Sequence, residues 1–277
     1  GNTAGSEGAG LWASGNLTVS DTTIDANIAS GDAADNGGGG IFMNGASSVL
    51  VISDSIITNN VADGEKGSGG GIFNAGGTMT ITDLVISTNT ANRAGGGIED
   101  LNTVGTTITT VTMENNSVNG DGAAPGNGGA IHVSGTGNLS CTSCTVNNNL
   151  AANEGGGFWA GGSGASMTIT DSMFDSNLAN GTESHDGGGA VFNNGGSLTI
   201  SGSTFESNAA SIGSGSGGAI LNMGGITTIS ESTFTANISA RAGGAIEDNS
   251  AGISGSDAEA DRDPSQTDVD ITNSVFT

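Results

Sequence analysis

Apolar residues recur along this chain in two phrases of fixed internal spacing. In the first, two small residues, mostly glycine, precede an apolar one: Leu11, Ile41, Ile72, Ile98, Ile131, Phe158, Val191, Ile220 and Ile246, spaced 26–33 residues apart. The second runs apolar, four residues, apolar, two residues, asparagine. Its copies are Val19-Ile24-Asn27, Ile52-Ile57-Asn60, Ile81-Ile86-Asn89, Ile108-Met113-Asn116, Leu139-Cys144-Asn147, Ile169-Phe174-Asn177, Ile200-Phe205-Asn208 and Ile229-Phe234-Asn237. A ninth copy, Ile271-Phe276, stops before its asparagine. Nine paired phrases at a period of about 30 residues mark an internal repeat.

A unit this short cannot bury its apolar face alone and must stack on its neighbours. Period-2 segments such as Ser197 to Ser201 and Thr78 to Thr82, bounded by glycine and asparagine, predict strands. The expected fold is therefore all-β, a parallel β-solenoid of about nine coils forming one domain over residues 1–277. Strands about 4.8 Å apart give a rod of roughly 40 Å. The glycine pairs are expected at a corner, supplying positive φ or close backbone approach. The asparagines Asn27, Asn60, Asn89, Asn116, Asn147, Asn177, Asn208 and Asn237 are expected in the left-handed region at a tight turn, hydrogen-bonded up the axis as a structural ladder. Between Ile229 and Ile271 the second phrase stretches to 42 residues, which predicts an irregular acidic loop at about 247–268.

Two of these phrases carry a family resemblance. Gly-Gly-Ala-Ile stands at 128–131, 217–220 and 243–246, and Phe-x-x-Asn at 174–177, 205–208 and 234–237. Paired in each coil, they resemble the repeats of polymorphic outer membrane proteins. That resemblance covers essentially the whole chain and implies a right-handed parallel β-helix at a bacterial surface. The early coils depart from it, with Ile24, Ile57 and Ile86 in the phenylalanine place.

Composition narrows the function classes. The chain has 52 glycines, no tyrosine and two prolines among 277 residues, too little proline for a collagen. It carries 28 acids against 4 bases, a net charge of −24. Phosphate neutralisation needs lysine and arginine, so a nucleic-acid partner is not expected. No run approaches the roughly 18 apolar residues of a membrane-spanning helix, so membrane insertion is not expected either. An acidic surface suits an extracellular or saline setting. The sequence starts without methionine or a leader, so a processed chain or a piece of a longer one is expected.

Few residues suggest chemistry. Asp257, Glu259, Asp261 and Asp263 alternate within the insert and weakly resemble a calcium loop, against a plain solvated acidic loop. Asp21, Asp54 and Asp83 each follow an anchor by two residues; stacked, they would hold a cation or splay into water. Arg93 precedes Glu99 and Asp100 by the offsets at which Arg241 precedes Glu247 and Asp248, which predicts a repeated local ion pair. His132 and His185 lie on different coils, and no nucleophile–histidine pair stands out, so no catalytic residue is assigned. Cys141 and Cys144 are read as sharing one strand, unfavourable for a disulfide, with Cys144 in a core anchor position.

Two outward columns remain. Thr-x-Thr or Thr-x-Ser flanks the strand anchor at Thr18/Ser20, Thr80/Thr82, Thr107/Thr109, Thr168/Thr170, Thr199/Ser201 and Thr228/Ser230. This grid resembles the surface of ice-binding solenoids, although threonine is also a good strand former on any exposed sheet. Val51, Asn138 and Asp270 interrupt it. The other column follows the glycine phrase: Trp12, Phe42, Phe73, Glu99, His132, Trp159, Phe192 and Leu221. Its aromatic members Trp12, Phe42, Phe73, Trp159 and Phe192 form either an exposed docking face for a glycan or host surface, or a layer packed under the glycine-rich corners.

The expected function is a non-enzymatic structural solenoid at the cell surface or outside the cell, needing no cofactor. A glycan-binding adhesin, an ice-binding solenoid and a polysaccharide-active enzyme, with Asp171 or Asp186 as acids to test, are the alternatives. Asn2 lies 25 residues before Asn27, and Phe276-Thr277-Gly1-Asn2, read end to start, completes Phe-x-x-Asn. The 277 residues are thus expected to fit a longer head-to-tail axial stack, through tandem copies or subunits.

Overall fold

The computed structural model describes residues 1–101, 104–120, 125–135, 137–162, 164–249 and 269–277. Among the described residues the regular elements are all strands. Each coil has a two-residue strand, a glycine corner, a strand of three or four residues, a loop, and two strand segments meeting at a bend. These stack into three parallel sheets. Sheet 1 holds nine short strands, from Thr3–Ala4 to Ile238–Ser239. Sheet 2 holds nine, from Leu11–Ala13 to Ile246–Asp248. Sheet 3 holds sixteen and has two facets, one on each side of the bend; Val49–Thr58 and Thr78–Ser87 run through both. Nine strands per wall enclose eight full turns, in agreement with the repeat count.

The core is one continuous cluster from Val19 to Phe234. The anchors of the first phrase pair with their counterparts one coil on, as Ile41 does with Ile72 and Phe158 with Val191. On the second facet, Phe174, Phe205, Phe234 and Phe276 stack with centroids 4.9–5.0 Å apart. Equal side chains one rung apart stack because the strand spacing is close to a ring-stacking distance.

The fifth coil differs from its predicted register. Cys141 pairs with Ile108 and Ile169, and Val146 with Met113 and Phe174. The anchors there are Cys141 and Val146, two residues later than Leu139 and Cys144. The ladder asparagine is accordingly Asn149, which is buried, while Asn147 lies half-buried beside it. Cys144 follows the bend at Ser143, so the two cysteines do not share a strand, and they form a disulfide.

The ladder is an axial hydrogen-bond chain. Asn116 donates its backbone N–H and its Nδ2 to Asn149 Oδ1, both at 3.0 Å, and Asn149 donates the same pair to Asn177. The chain runs through Asn27, Asn60, Asn89, Asn116, Asn149, Asn177, Asn208 and Asn237, with Asn2 joined at its start. These asparagines do not occupy the left-handed region, contrary to expectation. The residue before each does: Ala26, Asn59, Thr88, Asn115, Asn148, Ser176, Ser207 and Ala236 have φ of 53–58°. That conformation aims the following side chain inward and along the axis. A second left-handed column marks the bend of sheet 3 and includes Asp21, Asp54, Asp83, Asp171 and Glu231, all exposed to water. The predicted carboxylate column is this bend, and it splays into solvent.

The glycine corners fill both expected roles. Gly69 has φ of +62°, and a Cβ on Gly70 would lie 2.4 Å from the carbonyl oxygen of Thr90. The stretch from 250 to 268, with Asp257, Glu259, Asp261 and Asp263, lies outside the described residues. Among the described residues no helix is long and apolar enough to cross a membrane.

Candidate functional site

Alternation along sheet 2 turns Trp12, Phe42, Phe73, Glu99, His132, Trp159, Phe192, Leu221 and Glu247 away from the core, one per coil and in one axial column. The column is largely covered. A Cβ on Gly128 would sit 2.8 Å from that of His132, and one on Gly155 3.0 Å from that of Trp159, so the corners lie over it. Phe42, Phe73 and Phe192 are buried, Trp159 is half-buried, and Trp12 is exposed. The aromatic residues therefore form a packed layer under the corners and not a continuous docking face. Phe42 and Phe73 stack at 4.9 Å, and Trp159 lies between His132 at 4.3 Å and Phe192 at 6.1 Å.

Midway along the column its polar members meet. Glu99 is fully buried, with His132 Nδ1 3.2 Å from its Oε1 and 3.0 Å from its Oε2. Arg93 Nη1 approaches Glu99 Oε1 at 3.7 Å and donates to Ser68 Oγ at 3.0 Å. The predicted repetition holds: Arg241 pairs with Glu247 and donates through Nε to Ser216 Oγ at 2.8 Å. Next to Glu99 in sequence, Asp100 points into the core, where Oδ1 accepts from Asn74 Nδ2 at 3.1 Å and Oδ2 from Thr106 Oγ1 at 2.7 Å. Equivalent amides continue that inner column as Asn193 to Asn222 and Asn222 to Asp248.

Glu154 carries the most perturbed acidity. Its Oε2 accepts from Trp159 Nε1 and from Asn127 Nδ2, both at 2.9 Å. Burial pushes its carboxyl up to about 7; Asp186 adds to the rise, while both hydrogen bonds and the charge of His185 oppose it. Asn127 Oδ1 is buried without a partner among the described residues. His185, 61% exposed in its side chain, lies 3.7 Å from Asp186. Glu154 was not among the expected site residues, although Glu-x-x-x-x-Trp occurs twice, and Glu7 accepts from Trp12 Nε1 at 3.1 Å in the same way. Chemically, this region holds a proton near neutrality and ties its other acids and bases to one another. His132, Glu99 and Arg93 are brought together; Asp171 lies on the bend of sheet 3, away from them, and Asp186 lies beside Glu154. Among the described residues no group of three or more histidine, cysteine or acidic side chains is arranged to hold a metal ion.

Residues 39–234 match the family model described as the right handed beta helix region. No curated protein and no solved structure matches the chain.

Proposed function

The chain belongs to the right-handed β-helix family, and on that fold we propose a non-enzymatic structural module at a cell surface or outside the cell, stacked with further coils of the same kind. The asparagine ladder carries this reading. It runs in one direction through every coil from Asn2 to Asn237, and its geometry does not vary along the axis. A coil added at either end would meet the same ladder groups and the same strand edges, and one stacked on the last coil would cover Ile238, Val275 and Phe276. Such a coil belongs to a longer polypeptide or to a second copy pairing edge to edge. The Cys141–Cys144 disulfide and the acid excess favour an oxidising, extracellular setting. The non-enzymatic reading is supported by the mutual pairing of Arg93, Glu99 and His132 and by the burial of Glu99 and His132 away from a substrate.

Sedimentation and electron microscopy of the 277-residue chain across a concentration series test the stacking. Rods that lengthen in steps of roughly 40 Å, the height of nine rungs, are expected. A strictly monomeric chain, together with a parent protein that caps this segment on both sides, would overturn it. Turnover of acidic polysaccharides that is lost in Glu154→Gln or Asp186→Asn would overturn the non-enzymatic reading.

A further inference from the structure

Two of the three outward columns on the first facet of sheet 3 form a two-dimensional array of hydroxyls. Its inner column reads Thr18, Val51, Thr80, Thr107, Ser140, Thr168, Thr199, Thr228 and Asp270. Two residues along each strand, the second column reads Ser20, Ser53, Thr82, Thr109, Thr142, Thr170, Ser201, Ser230 and Thr272. The two-residue shift of the fifth coil completes the array. It places Ser140 and Thr142 where the sequence pattern had put Asn138 and Ser140, and moves Asn138 to the third outward column. Seven of nine positions in one column and all nine in the other are threonine or serine.

Strand-forming propensity alone does not account for this. Valine and isoleucine form strands equally well, and the second facet of the same sheet uses them. Its outward columns mix Thr23, Ile56, Val85 and Met173 with Asp25, Glu114, Asp175 and Glu206. These two columns have one valine between them, and none of their sixteen positions in the first eight coils is charged, in a chain of net charge −24; the third outward column, at the start of the strands, is mixed and includes Val49, Asn138 and Ile226. A neutral, regularly spaced ligand matches such a face. The array repeats at about 4.8 Å between strands and about 6.7 Å along them, close to oxygen spacings on the faces of hexagonal ice. Threonine is stiff at χ1, so hydroxyls and methyls are positioned before any ligand arrives.

We infer that the hydroxyl face of sheet 3 binds the surface lattice of ice, its hydroxyls joining the lattice and its methyls ordering the water between them. The inference is independent of the stacking reading, because the face runs parallel to the axis and is open in a single chain. Ice-crystal shaping and thermal hysteresis of the folded chain test it, with two paired variants. Thr107→Lys with Thr168→Lys places charge at the centre of the face; Thr112→Lys with Thr204→Lys does so on the other facet. All four positions point outward, and circular dichroism melting confirms that both variants fold. The parent chain and the second variant are expected to shape ice and retain hysteresis, and the first to lose most of it. No shaping by the parent chain, equal losses in both variants, or retention on microcrystalline chitin or cellulose in place of ice would each overturn the inference.

Discussion

The columns inside the solenoid and the column outside sheet 2 are both largely buried, yet they are built differently. Inside, like mostly sits on like, isoleucine on isoleucine, phenylalanine on phenylalanine and asparagine on asparagine, with small or apolar exceptions such as Cys141 between Ile108 and Ile169. Outside, the same axial line runs from aromatic rings through Glu99 and His132 back to Trp159 and Phe192. An inner residue meets the equivalent residue of each neighbouring coil, so one solution repeated along the axis satisfies every rung. The outer residues have corners above them that vary in length, and each group of coils finds its own local pairing. Axial repetition therefore fixes the core, while the outer layer is assembled piece by piece.

The largest expected effect lies inside. Phe205 is fully buried in the ring stack, and Phe205→Ala should cost about 3–5 kcal/mol through the cavity it leaves. Glu206→Ala, the exposed neighbour, should cost under about 0.5 kcal/mol. Denaturant titration of both variants checks the contrast, and equal losses would erase the distinction between inside and outside.

The next test separates the two candidate ladder positions of the fifth coil. Asn149→Ala removes the acceptor of two Asn116 donors, each costing about 1–3 kcal/mol when left unpaired. Asn147→Ala should cost under about 0.5 kcal/mol, as for other substitutions off the core. Urea midpoints in the reverse order would restore the register predicted from sequence.

In the outer layer, Glu154 predicts an acid-favoured contribution. Its folded pKa of about 7 lies above the ordinary value of 4.5, so its contribution is fully present below about 4.5 and lost as pH rises toward 7. Glu154→Gln should remove that loss, about 1–3 kcal/mol across the window. The parent chain and the variant share every other acid, so the difference between their stability–pH curves isolates this group. Parallel curves from pH 4.5 to 8 would show that the carboxyl titrates normally. The smallest effect concerns a corner: Thr88 is β-branched at φ of +55°, and Thr88→Gly should be neutral or stabilising by under about 1 kcal/mol. A clear loss in melting temperature would mean that its side chain contributes more than its backbone strain costs.

The glycine-phrase anchors, the asparagine ladder in every coil but the fifth, its extension to Asn2, and the Arg93–Glu99 and Arg241–Glu247 pairs were all legible in the chain. Glu154 was not, because its acidity arises from burial beneath corners and from Asp186 on the next coil. The covering of Phe42, Phe73 and Phe192 was open for the same reason: alternation tells which side of a strand a residue faces, not what lies above it.

By itself, the sequence determined the period, the count of coils and the identity of most inward columns, because a stacked repeat must show its own periodicity. Only the tertiary structure decided the register of the fifth coil. Leu139, Cys141, Cys144 and Val146 are all buried there, and Asn147, Asn148 and Asn149 are consecutive, so two registers satisfy the one-dimensional pattern. The choice falls to the hydrogen bonds from Asn116 to Asn149 and onward to Asn177, which exist only between coils. The left-handed column before each ladder asparagine was likewise invisible. Alanine, threonine and serine occupy it against their own preference, held there by the ladders above and below.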